Sequence, residues 1–225
     1  IHTKEKPEFL RTFHKDSAVW AEYVVNGKKK LINVAFPEHA GKIPHWIQGK
    51  DDYYYYHTYY PHQIDVDWKN PHVFVEFAKV LMYWTSFGFN FRLDAIPFVG
   101  KSAYKEINIK NNFTHHLIAG MHYIAKEINS ECVFILETYE ELNKVVEYFG
   151  TRNLKEAQML YGFHMCTFLW VSLIEHDTQY IWKKLKEMQH VPTYAQWIYF
   201  LRNHDELSFS YVDKTLLRDV HKKLL

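Results

Sequence analysis

The chain is poor in the residues that staple, break or span. It has 2 cysteines, 8 glycines and 7 prolines in 225 residues. Two cysteines are too few for a disulfide framework. Cys132 and Cys166 both sit in apolar runs, ECVFILET and YGFHMCTF, so buried free thiols are expected. No stretch approaches the ~20 apolar residues of a membrane span. The opening IHTKEKPEF has no apolar signal-peptide core and no initiator Met. The expectation is a processed, trimmed or partial chain in a reducing, cytoplasmic setting. Charge of one sign is also lacking: 27 Lys and Arg stand against 26 Asp and Glu, a formal net charge of +1. That gives no electrostatic case for nucleic acid or an anionic membrane. A 48% hydrophobic content excludes a disordered tail. The length suits one domain, or one domain with a small subdomain. What is abundant is aromatic: Tyr 17, Phe 16 and Trp 7 make 18%. Such side chains fill cores, and they also stack on sugars, nucleobases and flat cofactors.

The texture changes along the chain. Residues 1–68 are irregular, with apolar pieces broken by Asn26-Gly27, Pro37, Gly41, Pro44 and Gly49. NGKKKLINVAF predicts a turn and then a strand. Asn70-Pro71 is a helix start, with an Asn cap and Pro at the first helical position. Val73, Phe77, Val80, Leu81 and Trp84 follow at helical spacing, and Gly88 stops the run. FNFRLDAIPFV, ECVFILETY, LYGFHMCTF and WIYFLRNHD read as buried strands, separated by helical stretches at 104–129, 140–149 and 168–188. Alternating strands and helices predict an α/β fold with a parallel sheet.

Three of those strands end in polar residues: Arg92 and Asp94, then Glu137, then Arg202, His204 and Asp205. In parallel α/β folds the C-terminal strand ends are where sites are built. Carboxylates there are costly unless paired or used. Glycosyl transfer suits this set, because one carboxylate must be ionised to attack and another protonated to donate. Arg92, two residues before Asp94, points to the same side of a strand and would keep Asp94 ionised. Glu137, among Val, Phe, Ile and Leu, has the apolar setting that raises an acid toward the donor role. The pattern alone fits a two-carboxylate metal site as well.

FNFRLDAIPF resembles the nucleophile segment of the α-amylase superfamily, glycoside hydrolase family 13, whose usual form is GFRxDA. FILETY resembles its acid/base segment, FLRNHDEL its fourth segment, and HQIDVDWKNP its QPDLNxxNP stretch. AQWIYFLRNHDEL, VVEYFG and RLDAIPF are similar to the trehalose synthase (maltose α-D-glucosyltransferase) branch. The likeness runs from about residue 53 to 210. It implies a (β/α)8 barrel of the TIM type, incomplete here. Residues 69–225 would be its central part, about strands four to seven. Residues 1–68 would be an excursion subdomain after strand three. It implies Asp94 as nucleophile, Glu137 as acid/base and Asp205 as the third acid. Arg92, His204, Arg202, Glu206 and His2 would contact or position the sugar. Gln63 and Asp65, which precede the helix, either contact sugar hydroxyls or serve as turn and capping residues. The implied partner is a small α-glucoside (maltose, trehalose or glucose), with no nucleic acid and no membrane. Maltose and trehalose would interconvert through a covalent glucosyl-Asp94, with side hydrolysis. An α-glucosidase or α-amylase type hydrolase, or a silent carbohydrate-binding fragment, are the alternatives.

The sequence departs from the family in places. Ile1 stands where Asn is expected before His2, and PFVGK lacks the usual acid. The chemistry requires no cofactor, and a structural calcium remains open with the donor set against it. An open half-barrel exposes strand edges, so self-association or missing barrel segments are expected. His115-His116 are adjacent and do not face each other on a helix, so no His metal site is expected. His164 is expected on a strand, facing either the pocket or the core. Tyr53 to Tyr56, Tyr59, Tyr60 and Trp68 either wall the sugar site or pack.

Overall fold

The computed structural model describes residues 59–60, 62–100, 112–203, 209 and 211–224, together with short strands among residues 12–56. The chain divides into two compact units. The first holds residues 1–87 and 97–128, the second 88–96 and 129–225.

The first unit begins with β1 (Thr12–His14), β2 (Glu22–Val25), β3 (Lys28–Leu31), β4 (Trp46–Gln48) and β5 (Tyr53–Tyr56). β5 lies between β1 and β4 in an antiparallel sheet, so the tyrosine run is a central strand. β2 and β3 pair antiparallel with Val25 opposite Lys28. α1 (Pro71–Ser86) starts as the sequence predicts. Asn70 Oδ1 accepts the His72 N–H at 3.0 Å, and Pro71 needs no hydrogen-bond partner for its nitrogen. Its buried stripe is Val73, Ala78, Leu81 and Thr85, while Val80 and Trp84, expected inside, are exposed. α2 (Asn112–Ile128) packs against α1. A side chain on Gly120 would begin 3.2 Å from the Phe74 ring, so the small residue sets the approach of the two helices.

The second unit is built on four parallel strands: β6 (Phe91–Leu93), β7 (Phe134–Leu136), β8 (Met159–Tyr161) and β9 (Gln196–Ile198). Their order in the sheet is their order in sequence. A doubly wound sheet reverses at a switch point, whereas a barrel adds each strand beside the last. Phe134, Leu136 and Leu160 are completely buried and form the middle of this sheet. α3 (Leu142–Val145), α4 (Phe163–Glu175), α5 (Gln179–Glu187) and α6 (Lys214–Leu224) complete the unit. Val171 of α4, Val212 just before α6 and Val220 of α6 form a second apolar cluster. Trp197 seals the far side, its Nε1 donating to Met188 O at 2.8 Å and its ring edge-on to Phe149.

One expectation is corrected. The sequence predicts a strand over LYGFHMCTF, but β8 ends at Tyr161 and α4 begins at Phe163. His164, Met165, Cys166 and Thr167 are buried in succession. A helix turn buried all round loses its 3.6-residue rhythm and imitates a buried strand. Among the described residues no helix is long and apolar enough to cross a membrane.

Candidate active site

The site begins where β6 and β7 end. Glu137 N–H donates to Leu93 O at 3.0 Å, and Ile96 N–H donates to Glu137 O at 3.3 Å. These bonds carry the parallel ladder one step past the strands, so Asp94 and Glu137 stand side by side. Strand alternation puts Arg92 and Asp94 on the same face. Ala95 then takes a left-handed conformation, φ +47°, which turns the chain sharply after Asp94. For a residue with a Cβ this costs on the order of 1 kcal/mol. The turn aims the Ala95 N–H at Glu137 Oε2, 3.4 Å away.

Arg92 joins the two acids. Its Nη1 lies 3.1 Å from Asp94 Oδ1 and its Nη2 lies 2.7 Å from Glu137 Oε1. The second contact is an ion pair by distance, off the line of a hydrogen bond. The guanidinium carbon sits 5.7 Å from the centroid of the Tyr161 ring. Burial works against the Arg92 charge, but a side-chain hydrogen bond with Tyr161 and then the charges of Glu137 and Asp94 outweigh it and hold its pKa above the ordinary value.

The two acids differ sharply in setting. The Asp94 side chain is 71% exposed and that of Glu137 only 13%. Burial pushes Glu137 up first, and a hydrogen bond with Asp94 and its charge add to that. Arg92 and the Ala95 N–H pull the other way, and the balance leaves Glu137 at about 7. A solvated acid thus adjoins one that keeps its proton near neutrality, a division of labour suited to acid–base catalysis.

Aromatic rings gather at the same strand ends. Tyr161, Phe163 and Phe200 form a triangle of edge-on contacts, with centroids 5.3–5.7 Å apart. Tyr139 extends it toward Phe163 and Tyr211. Sequence reading sought aromatics at 53–68 and missed this group. A signal was there, since each of Tyr139, Tyr161 and Phe200 follows or closes a strand.

The sequence signature of the alpha amylase catalytic domain matches residues 2–224. The chain belongs to the α-amylase family. It is 30% identical over 164 residues to a trehalose synthase of Thermus thermophilus, covering 71% of this chain and 16% of that protein. It is 29% identical over 163 residues to the trehalose synthase/amylase TreS of Mycobacterium tuberculosis H37Rv, covering 71% of this chain and 27% of that protein. The chain therefore spans well under half the length of these relatives. In structure it resembles the α-amylase from H. orenii, with TM-score 0.57, 15% identity, and coverage of 89% of this chain and 38% of that one. It also resembles the isomaltulose synthase of Erwinia rhapontici NX5, with TM-score 0.56, 20% identity, and coverage of 72% and 32%. The fold is a partial (β/α)8 barrel, with β6 to β9 as successive strands.

The α-amylase motifs single out further residues. His204, Asp205, Glu206 and His2 lie outside the described residues. Arg202 is exposed just after β9. The carbonyl of Leu201 before it accepts from Cys166 Sγ at 3.0 Å and from Trp170 Nε1, both on α4. Gln63 and Asp65 belong to the first unit, where Gln63 Oε1 accepts the Tyr60 N–H at 3.3 Å and closes a turn. There Tyr59 meets Phe98, Tyr60 stacks on His62, and Trp68 packs on Phe77. His164, expected on a strand, lies in the first turn of α4, buried against Tyr211 with centroids 3.8 Å apart. Burial and then the Lys184 charge lower it to about 4, against the pull of Glu187. Among the described residues no cluster of three or more His, Cys, Asp and Glu is placed to hold a metal ion.

Proposed function

We propose that this chain carries the catalytic centre of a retaining enzyme acting on α-glucosides. The observation that supports it is the bridge of Asp94, Arg92 and Glu137 at adjacent strand ends. One guanidinium reaching both carboxylates favours the short separation of retaining enzymes, about 5 Å, over the wider gap of inverting ones. Asp94, solvated and paired with Arg92, is the nucleophile that attacks the anomeric carbon. Glu137 gives its proton to the leaving sugar oxygen, then takes one from the incoming hydroxyl. Asp205 grips the hydroxyls of the distorted sugar, and His204, Arg202 and Glu206 complete the pocket. Gln63, Asp65 and His2 are further sugar contacts. Residues 1–68 form the excursion subdomain and 69–225 the central barrel segment.

The substrate we propose is maltose, converted to trehalose when the freed glucose returns through its anomeric hydroxyl. Similarity to proteins named trehalose synthase supports this choice. Hydrolysis is the second reading, favoured by the 71% exposure of the Asp94 side chain, which leaves the nucleophile open to water. Incubating the full-length protein with maltose decides between them. Trehalose as the main product supports the first reading, and glucose alone supports the second. Turnover that survives both Asp94→Ala and Glu137→Gln would remove the proposal.

A further inference from the structure

Arg92 serves two carboxylates whose tasks are opposite, so its exact lie matters. Asp94 needs its charge kept, while Glu137 needs a proton near neutrality. A guanidinium that swung wholly to either acid would spoil the other. Ion pairing alone does not fix the balance, because Asp94 is mostly solvated and Glu137 mostly buried. A third contact is present. The Tyr161 ring, at the C-terminal end of β8, faces the guanidinium carbon at 5.7 Å. An aromatic face within about 6 Å attracts a cation without carrying a charge that would neutralise it. The ring is itself braced edge-on by Phe163 and Phe200, at 5.7 and 5.5 Å. Behind it Gly162 allows a close approach, since a Cβ there would stand 2.9 Å from the Tyr199 ring.

We infer that Tyr161 is a positioning residue, its ring face fixing how Arg92 divides its charge between Asp94 and Glu137. This deepens the proposed function and rests on Glu137 as the proton donor. Among the described residues, Glu137 is faced by Arg92 of β6 and by Asp94 just past it, and Tyr161 of β8 acts on it through Arg92. Arg92 draws the proton off Glu137. Loosening Arg92 therefore makes Glu137 hold its proton to higher pH.

The test keeps the shape of the ring and changes its charge distribution. Three full-length proteins are compared: wild type, Tyr161→Phe, and Tyr161→pentafluorophenylalanine, in which the ring face is no longer negative. Tyr161→Met serves as a fourth, ringless protein. Carboxyl-labelled glutamate is followed by NMR against pH, with the Glu137 signal assigned by Glu137→Gln. The pH profile of kcat/KM on an aryl α-glucoside is measured alongside. Tyr161→Phe, which keeps the ring face and loses only the hydroxyl and its hydrogen bond to Arg92, should move the Glu137 titration less than the other two variants do. The fluorinated and Met variants should move it up by about half a pH unit or more, carry the alkaline limb with it, and lower kcat roughly tenfold. An unmoved titration in the fluorinated and Met variants overturns the inference. So does a shift in Tyr161→Phe as large as in theirs, since the hydroxyl would then be the active part. If the wild type turns over no α-glucoside while the Glu137 titration still moves in the fluorinated and Met variants, the proposed function falls and the positioning role stands.

Discussion

Glu137 is the residue whose environment says most. An acid raised from 4.5 to about 7 binds its proton more tightly in the folded state than in the unfolded one. Its contribution to stability is therefore complete below about 4.5 and is lost as pH rises toward 7. Glu137→Gln should remove that loss, stabilising the protein above pH 7 relative to wild type by on the order of 1–3 kcal/mol. Chemical denaturation at pH 5 and pH 8 reads the difference, and equal effects at both would contradict the assignment. Activity has its own sign. A proton donor must be protonated, so on the role proposed for Glu137 kcat/KM should fall as pH rises through about 7. Glu137→Gln should cost about 10²–10⁴-fold on poor leaving groups and much less on a dinitrophenyl α-glucoside, whose leaving oxygen needs no proton. On the proposed roles, Asp94→Ala should cost on the order of 10⁴-fold or more on both, because the attacking atom would be gone.

Elements hold these residues through their ends. α4 meets Tyr211 with His164 and the Leu201 carbonyl with Cys166 and Trp170. His164 is lowered from 6.5 to about 4, so it favours the folded state above 6.5 and loses that contribution as pH falls toward 4. Its slope opposes that of Glu137 across the shared window. His164→Gln should leave stability falling with pH there, and Glu137→Gln should leave it rising. Parallel slopes in the two variants would refute this pairing. Turns show a similar contrast. Gly150 has φ +76°, and a Cβ would fall 2.2 Å from Leu154 O. Gly88 has φ +84° with open space around it. Gly150→Ala should thus cost about 2–4 kcal/mol, and Gly88→Ala about 1 kcal/mol. Comparable melting temperatures for the two would show that φ, not crowding, governs Gly150.

At the scale of the molecule, the four-stranded sheet has β6 and β9 at its two ends. In the first unit, Tyr83, Trp84 and Phe87 pack on one another yet stay 44–63% exposed. Among the described residues β6 and β9 each pair on one side only, and such edges, like grouped aromatics, invite pairing. The 225-residue chain on its own should self-associate at tens of micromolar, as read by sedimentation; a monodisperse monomer would count against that. The sequence by itself determined the alternation of strands and helices, the polar strand ends and the motifs of the family. These follow from local periodicity and from short runs of residues, which need no partner to be read. It also made Arg92 and Asp94 neighbours, because a strand alternates. Only the tertiary structure decided that Glu137 lies beside them, since pairing β6 with β7 joins residues far apart in the chain. Only it decided that the aromatic excess supplies a ring beneath Arg92, and that His164 faces Tyr211 from a helix. Burial sets those choices, and a sequence lists side chains without saying which of them share the water-free space.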